Sequence, residues 1–311
     1  MGTDRDLIIV GGGAAGMSAA QYGARGNLRV LVLEELASGG QALIIDALEN
    51  YPGFEEPING FEFTQRMERQ AVKFGAEIKN ASVSAVRKSN GTFTVETDSG
   101  PLTAGAVIIA TGAKHKRLGI RGEDAFSGKG VSYCATCDGP FFRNKRMLVV
   151  GGGDAACDEA GYLANLASGI LMIHRKDRFR AQKSLAGRVL ANPKIQIRFN
   201  SELEEITGDT AVRSVRIRDA KSGKTYNEDV SAVFIFIGSI PQTGILAKAE
   251  LDEAGYIVTD QKMQTSIPGL FAAGDVRSSP FRQIVVAAAE GAIAAHSAGV
   301  YIEDMRGEAY R

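Results

Sequence analysis

Two stretches of the chain repeat one pattern of apolar and glycine positions. The apolar run Leu7–Val10 leads into the glycine-rich segment 11–16, and the apolar run Met147–Val150 leads into the segment 151–156. Small residues follow each glycine segment, and a second apolar run follows those. A short apolar run, a glycine turn and a helical stretch predict a buried strand, a tight turn and a helix. The sequence therefore predicts two βαβ units, the second starting 140 positions after the first (residue 147 against residue 7).

Each unit has a later apolar run that would complete its sheet, Ala106–Ala110 in the first and Val233–Ile237 in the second. Between these runs, alternating stretches such as Gly91–Thr97 predict a small antiparallel sheet in each half. Near the end of the chain, Gly269–Asp275 predicts a short strand and Ile284–Ala298 predicts an alanine-rich helix. The second unit is therefore inserted within the first.

This order of elements predicts an α/β fold. We expect two Rossmann-like dinucleotide-binding domains, each a three-layer ββα arrangement, with the second inserted into the first. The first domain is expected at residues 1–113 and 242–311, and the second at residues 114–241. The segments around 113–114 and 241–242 are the candidate hinges.

Composition narrows the function classes. Equal numbers of basic and acidic residues, 36 of each, argue against a nucleic-acid binder, which needs a basic surplus. The 37 glycines show no Gly-x-y period, so we expect them in turns and close backbone approaches. Three cysteines do not form a secreted disulfide framework, and we find neither a signal peptide pattern nor a membrane span. We expect a cytoplasmic protein, where a cysteine pair is more often redox-active or metal-binding than structural.

The glycine segments are candidate dinucleotide sites. One such turn can serve helix–strand packing alone, but two complete copies favour ligand binding. Glycines let the backbone approach a pyrophosphate, and the N-terminus of the following helix offers free N–H groups. Glu34 lies 18 positions after Gly16, where a carboxylate accepts hydrogen bonds from an adenosine ribose. The first unit therefore predicts FAD or NAD.

The second unit differs at the matching position. His174 lies 18 positions after Ala156, and the cations Arg175, Lys176 and Arg180 follow it. Such cations make charge-assisted hydrogen bonds to a 2′-phosphate. The alternative is a solvated basic turn, but its place at the end of the second strand favours a phosphate site. The second unit therefore predicts NADPH.

Cys134 and Cys137 form a CxxC motif with Asp138 beside it. A zinc site usually pairs such a motif with further cysteines or histidines. The chain offers only Cys157 and three scattered histidines, so we predict no metal. A CxxC pair can form a disulfide that opens and closes easily. Asp138 suits proton transfer to or from a thiolate, or is a turn carboxylate, and Cys157 is expected to be a small buried residue.

These features together resemble the low-molecular-weight, bacterial-type thioredoxin reductases. The motifs that carry the resemblance run the length of the chain, and CATCDG is the most specific of them. They are GGGAAG at 11–16, SGGQ at 38–41, ENYPG at 49–53, ATGA at 110–113, CATCDG at 134–139, GGGDAA at 151–156, HRKDRFRA at 174–181, and TSIPGLFAAGDV at 265–276 with RQ at 282–283.

The resemblance implies the site residues. FAD contacts would come from Gly11, Gly13, Ala14, Ala15, Gly16, Glu34, Gly40, Gln41, Asn50, Ala110, Thr111, Gly112, Gly274, Asp275, Arg282 and Gln283. NADPH contacts would come from Gly151, Gly153, Asp154, Ala155, Ala156, His174, Arg175, Lys176, Arg180, Ile237 and Gly238. Cys134 would exchange with thioredoxin, Cys137 would face the flavin, and Asp138 would be the acid.

The resemblance also implies the reaction. Electrons would pass from NADPH to FAD, to the disulfide, and to thioredoxin or a thioredoxin-like protein. A homodimer and a rotation of the 114–241 domain about the hinges are expected in the same way.

Two positions depart from the family pattern. Lys176 stands where a second arginine is common, and lysine lacks the bidentate fork. Asp154 stands where a neutral polar residue is common, near the expected pyrophosphate. Lys176 weakens the expected preference for NADPH, so NADH is a possible donor. The carboxylate of Asp154 disfavours a pyrophosphate unless it points away.

Three other functions stay open at the level of the sequence. A flavin-dependent dithiol oxidase would use the same CxxC without NADPH, but the basic segment 174–180 argues against it. A non-catalytic flavin redox sensor or metal-binding module would show no turnover. A flavodoxin or ferredoxin reductase would not need the CxxC.

Overall fold

The computed structural model describes residues 3–45 and 48–308. The chain divides into two compact units. The first unit comprises Met1–Lys114 and Ile240–Arg311, and the inserted unit comprises His115–Ser239.

The helices and strands alternate as expected for an α/β protein. The strands are β1 (Arg5–Val10), β2 (Val30–Glu34), β3 (Glu77–Asn80), β4 (Val83–Ser89), β5 (Thr92–Thr97), β6 (Gly100–Ile109), β7 (Ala113–His115), β8 (Val131–Ser132), β9 (Arg146–Gly151), β10 (Gly169–His174), β11 (Ile195–Phe199), β12 (Ser201–Gly208), β13 (Val212–Asp219), β14 (Thr225–Asp229), β15 (Ala232–Phe236), β16 (Ser239–Pro241) and β17 (Leu270–Ala272). The α-helices are α1 (Ala14–Arg25), α2 (Gly60–Lys73), α3 (Ala135–Asp138), α4 (Asp154–Leu166), α5 (Lys183–Ala191) and α6 (Ile284–Arg306), and 3₁₀ helices cover Gly40–Ile44 and Gly139–Phe142.

The inserted unit has the predicted three layers. Its parallel sheet has the order β11-β10-β9-β15-β8. On one face, Met147 and Val149 pack with residues of α4 such as Leu163. On the other face, Leu148 and Val150 pack with the antiparallel sheet β12-β13-β14. Because the strands are buried on both faces, they appear in the sequence as continuous apolar runs.

The first unit has the same layers, but its antiparallel strands extend the main sheet instead of forming a separate one. The order is β3-β2-β1-β6-β5-β4, with β17 also paired to β6. The long strand β6 belongs to both parts, since Gly100–Ala104 pairs antiparallel with β5 while Ala104–Ile109 pairs parallel with β1. The predicted α/β fold of two Rossmann-like sheets is confirmed, and this shared strand is the detail that the sequence pattern did not reveal.

Helix α6 extends beyond the predicted Ala298 to Arg306 and ends at Gly307, whose φ is 72°. Within the described part of the chain, it is the one helix long and apolar enough to cross a membrane. Its residues Ala294, Ala298 and Ile302 pack in the first unit's core. A Cβ at Gly291 would lie 2.1 Å from the carbonyl oxygen of Ala15, so glycine permits the close contact between α6 and α1.

Candidate functional site

The first glycine turn connects β1 to α1. A Cβ at Gly11, whose φ is 104°, would lie 2.4 Å from the carbonyl oxygen of Ala110, and one at Gly16 would lie 1.9 Å from that of Gly11. The turn therefore needs glycine at both positions. The space beside Gly13 is open, and no side chain of the described residues caps the start of α1 at Ala14. The free N–H groups there are oriented to receive an anion.

Glu34 lies at the end of β2 beside this turn. Its Oε2 accepts a hydrogen bond from the Gly12 N–H at 2.7 Å, and its Oε1 accepts one from the Leu36 N–H at 3.1 Å. These two bonds fix the carboxylate next to the glycines. Each oxygen keeps a lone pair for a further donor.

Two more predicted FAD segments, Gly40–Gln41 and Ala110–Gly112, lie in the first unit. Gly40 lies near the turn, since a Cβ there would be 3.4 Å from the Cα of Gly13. The Gln41 side chain donates a hydrogen bond to the carbonyl oxygen of Ala113. After β6, the Thr111 hydroxyl donates to the carbonyl oxygen of Gln242 at 2.7 Å. These bonds hold the loops on either side of Ala110–Gly112 in place.

The remaining predicted FAD residues fall into two groups. The Asn50 amide donates to the Gln283 side chain at 3.0 Å, although the two are far apart in sequence. The Arg282 guanidinium lies over the ring of Tyr256, 4.0 Å from its centroid. The second group is Gly274 and Asp275.

A buried ion pair supports the turn at Gly274. Glu290, only 6% exposed, accepts a hydrogen bond from the Gly274 N–H at 2.8 Å and pairs with Arg277. Burial, with Glu290 nearby, raises the pKa of Asp275 although Arg282 opposes it. Sequence reasoning missed Arg277 and Glu290, although an acidic residue within an alanine-rich helix was a signal.

The second glycine turn, between β9 and α4, connects the same kinds of element as the first. A Cβ at Gly151 would lie 2.5 Å from the carbonyl oxygen of Phe236. The space beside Gly153 is open, and no side chain caps the start of α4. Ala156 takes the place that Gly16 has in the first turn. The free N–H groups around Ala155 can again receive an anion.

His174 lies at the end of β10 against this turn. A Cβ at Gly152 would be 2.4 Å from its Nδ1. Its Nε2 is buried and has no hydrogen-bond partner among the described residues. Burial lowers the pKa of His174, and the cations of Arg180, Arg175 and Lys176 lower it further. The imidazole is thus a neutral polar group surrounded by positive charge.

The cations lie on an exposed loop that is attached to the turn. The Arg180 N–H donates to the carbonyl oxygen of Gly152 at 2.7 Å. The carboxylate of Asp154 accepts the N–H of Gln182 at 2.7 Å. The Asp154 side chain therefore points towards the loop. The sequence did not reveal this contact with Gln182.

Ile237 and Gly238 follow β15. Ile237 packs against the core on the antiparallel-sheet side of the inserted unit. Gly238 has a φ of 103°, and its carbonyl oxygen accepts the Lys116 N–H at 2.9 Å. Next to them, β16 pairs with β7, so the two connecting segments form a two-stranded sheet.

Cys134 and Cys137 form a disulfide within the inserted unit. Cys134 is the N-cap of α3, and its Sγ accepts a hydrogen bond from the Cys137 N–H at 3.2 Å. Ala135 is fully buried, which anchors the short helix in the core, while both sulfur-bearing residues are half-buried. A donor to the sulfur of Cys134 favours a thiolate there once the bond is reduced.

The structure also gives the surroundings of Asp138, of the third cysteine and of Phe141 in the inserted unit. The Asp138 N–H donates to the carbonyl oxygen of Cys134 at 3.2 Å. Cys157 is buried as predicted, and burial raises its pKa to about 11, so its thiol is poorly reactive. In the described residues, no three His, Cys, Asp or Glu side chains are grouped as metal ligands. Phe141, four positions after Cys137, is 48% exposed.

Comparisons with known proteins agree over nearly the whole chain. The family model described as pyridine nucleotide-disulphide oxidoreductase matches residues 5–291. A thioredoxin reductase of Treponema pallidum (strain Nichols) is 55% identical over 306 residues, covering 98% of this chain and 100% of that protein. One of Listeria innocua is 43% identical over 303 residues, covering 97% of this chain and 95% of that protein.

Solved structures give the same result. The crystal structure of a thioredoxin reductase from Streptococcus pyogenes MGAS5005 matches with a TM-score of 0.92 and 43% identity, covering 96% of this chain and 98% of that one. A thioredoxin reductase from Giardia duodenalis matches with a TM-score of 0.91 and 38% identity, over the same shares of the two chains.

Proposed function

This chain belongs to the pyridine nucleotide-disulphide oxidoreductases and, within them, to the low-molecular-weight thioredoxin reductases, and we propose that it passes electrons from NADPH through FAD and the Cys134–Cys137 disulfide to thioredoxin or a thioredoxin-like protein. The observation that carries this proposal is the half-buried disulfide, which belongs to the same unit as a glycine turn flanked by three cations. When bound, NADPH would supply a hydride, and FAD would pass an electron pair to the disulfide.

We assign FAD to the first domain, residues 1–113 and 242–311. The open N-terminus of α1 fits a pyrophosphate, and Glu34 is already oriented to accept hydrogen bonds from a ribose. Asp275 supplies a carboxyl group whose burial raises its pKa, which suits a hydrogen bond to a ligand hydroxyl. The hydrogen bond from the Asn50 amide to Gln283 holds these two predicted FAD residues together.

We assign NADPH to the second domain, residues 114–241. The open N-terminus of α4 fits the pyrophosphate, and the unpartnered Nε2 of His174 fits a ligand donor or acceptor. Arg175, Lys176 and Arg180 carry the charge that a 2′-phosphate requires. NADH lacks that phosphate and gains nothing from these cations.

The cysteine pair performs the exchange. Reduction breaks the S–S bond and leaves two thiols, and the Cys137 N–H stabilises a thiolate at Cys134. That thiolate attacks one sulfur of the thioredoxin disulfide, breaks that S–S bond and forms a mixed disulfide. Cys137 then attacks the sulfur of Cys134, which re-forms the Cys134–Cys137 bond and releases the reduced thioredoxin. Asp138 transfers a proton to or from the departing thiolate. The exposed ring of Phe141 offers apolar surface for the protein substrate.

The connecting strands β7 and β16 are the candidate hinges for a movement that exposes the disulfide to its partner. The assembly we expect is a homodimer, and the expected location is the cytoplasm.

The test is anaerobic stopped-flow of the purified yellow protein, mixed first with NADPH and then with thioredoxin. NADPH should bleach the flavin, and thioredoxin should restore the colour. Cys134→Ser and Cys137→Ser should keep the bleaching and lose thioredoxin reduction by about a thousandfold. Cys157→Ser is the matched control and should keep both steps.

The alternatives give different results. A dithiol oxidase would be bleached by small dithiols and not by NADPH. A colourless protein, or thioredoxin reduction that survives both cysteine substitutions, would refute the proposed route.

A further inference from the structure

Asp154 is the first residue of α4, directly after the second glycine turn. Its carboxylate accepts the backbone N–H of Gln182 at 2.7 Å and lies 3.5 Å from the Gln182 side-chain nitrogen. Gln182 precedes α5 and gives that helix no side-chain cap of its own. Asp154 therefore joins the starts of α4 and α5.

The loop between β10 and α5 is held at three points. Near its start, the carbonyl oxygen of Lys176 accepts the Asn200 N–H at 3.0 Å. The Arg180 N–H donates to the carbonyl oxygen of Gly152 at 2.7 Å, and Asp154 holds Gln182 two positions later. The loop carries Arg175 and Arg180, whose charges act on the buried His174. Its cations are therefore fixed next to the glycine turn.

The carboxylate has two opposite effects on a nucleotide bound here. Its negative charge near the turn weakens the binding of any pyrophosphate, with or without a 2′-phosphate. Its bond to Gln182 helps only a ligand that uses the cations of the loop. The second effect changes selectivity, and the first does not.

We propose that Asp154 is a positioning residue that holds the basic loop 175–181 in place and thereby sets the preference for the 2′-phosphorylated nucleotide. The inference rests on the proposed use of NADPH. Asp154, although negatively charged and close to the expected pyrophosphate, would thus favour the nucleotide that carries the additional phosphate.

The test is calorimetric binding of NADP⁺ and NAD⁺ to the oxidised holoenzyme and three variants. Asp154→Ala should lower the ratio of the two affinities by about fivefold, since one hydrogen bond to a charged group is lost. Asp154→Asn should keep the ratio, because its Oδ1 still accepts the Gln182 N–H. Asp158→Ala, which removes a carboxylate from the same helix without a bond to the loop, should also keep it.

Limited trypsin digestion gives a second readout that does not depend on nucleotide binding. The loop offers several lysine and arginine sites, and Asp154→Ala should be cut there several times faster than the wild type, with Asp154→Asn close to the wild type.

Two results would overturn the inference. In one, Asp154→Ala and Asp154→Asn tighten both nucleotides by the same factor, as expected from charge alone. In the other, Asp154→Ala leaves the ratio and the digestion unchanged. If the wild type binds NADP⁺ and NAD⁺ equally, the proposed NADPH preference fails instead, and the digestion still decides whether Asp154 holds the loop.

Discussion

The two glycine turns connect the same elements but differ in backbone detail and in the chemistry around them, since the φ of Gly11 is 104° and that of Gly151 is 155°. In both, a Cβ on the first glycine would meet a carbonyl oxygen at the end of the strand that pairs with the strand before the turn, that of Ala110 just after β6 in one unit and that of Phe236 in β15 in the other. At the end of the second strand, Glu34 is hydrogen-bonded to its own turn, whereas His174 is buried and its Nε2 has no partner among the residues that the structure describes. Backbone approach and ligand choice are therefore determined by separate residues.

The comparison also shows how each selective group is held. Glu34 receives both of its hydrogen bonds from residues within the turn and directly after the strand. The cations of the inserted unit lie on a loop that depends on Asp154 and Gly152. Glu34 is therefore held within its own βαβ unit, whereas the cations of the inserted unit also need the contact from Asp154 to Gln182, which lies beyond the second strand of that unit.

The largest expected effect comes from substitutions at Gly16 in the first turn and at Ala156, which takes its place in the second. In Gly16→Ala, the new Cβ would lie 1.9 Å from the carbonyl oxygen of Gly11, so we expect destabilisation on the order of 3 kcal/mol and loss of the yellow cofactor. Ala156→Gly, the reciprocal change, should cost about 1 kcal/mol from helix propensity alone. Flavin absorbance and chemical denaturation measure both. Full flavin content in Gly16→Ala would show that the first turn tolerates a Cβ at this position, as the second turn does at Ala156.

A smaller effect is expected at the cations. Arg175→Ala should lower kcat/KM for NADPH by about tenfold and leave that for NADH unchanged, because only the phosphorylated nucleotide uses the charge. Lys176→Arg should raise the ratio of the two values about threefold, since arginine adds a bidentate fork.

Arg188→Ala, an arginine on α5 of the same unit, is the control for a general loss of positive charge. Equal losses with NADPH and NADH in Arg175→Ala would argue that the basic segment is only a solvated turn.

The smallest expected effect is a pH dependence that the units do not share. Burial lowers the pKa of His174, and of His115 in the same unit, below the ordinary value of 6.5. The unfolded chain then binds protons before the folded one, so stability is full above pH 6.5 and falls as the pH decreases towards the folded pKa. Asp275 in the first unit has a raised pKa, so its contribution changes in the opposite direction.

Urea denaturation from pH 7.5 to 5.5 measures the histidine contribution. His174→Gln should flatten the decline in stability, and His174→Gln with His115→Gln should flatten it further. An unchanged slope in the double variant would assign the acid sensitivity to other groups.

Much of the fold follows from the sequence because the parallel strands are buried on both faces. Leu7–Val10 and Met147–Val150 could be recognised without any knowledge of their neighbours. The positions of Glu34 and His174 followed in the same way, since a fixed βαβ length places them beside the turn.

What the sequence could not predict depends on contacts between distant segments. The pair of Arg277 and Glu290 forms only when α6 packs against the turn at Gly274. The direction of the Asp154 side chain depends on where Gln182 lies. No local periodicity encodes such contacts. The same is true of β6, whose pairing with both β5 and β1 joins distant segments of the chain.

The close contact between Gly291 and Ala15 has a consequence for how the protein is made. The first unit obtains β17 and α6 from the end of the chain, whereas the inserted unit is continuous in sequence. During translation, the inserted unit can therefore fold first, while α1 and β6 wait on the ribosome with apolar surface still exposed. The part of the protein that is synthesised first is thus completed last, and it is the part for which nascent-chain chaperones would matter most.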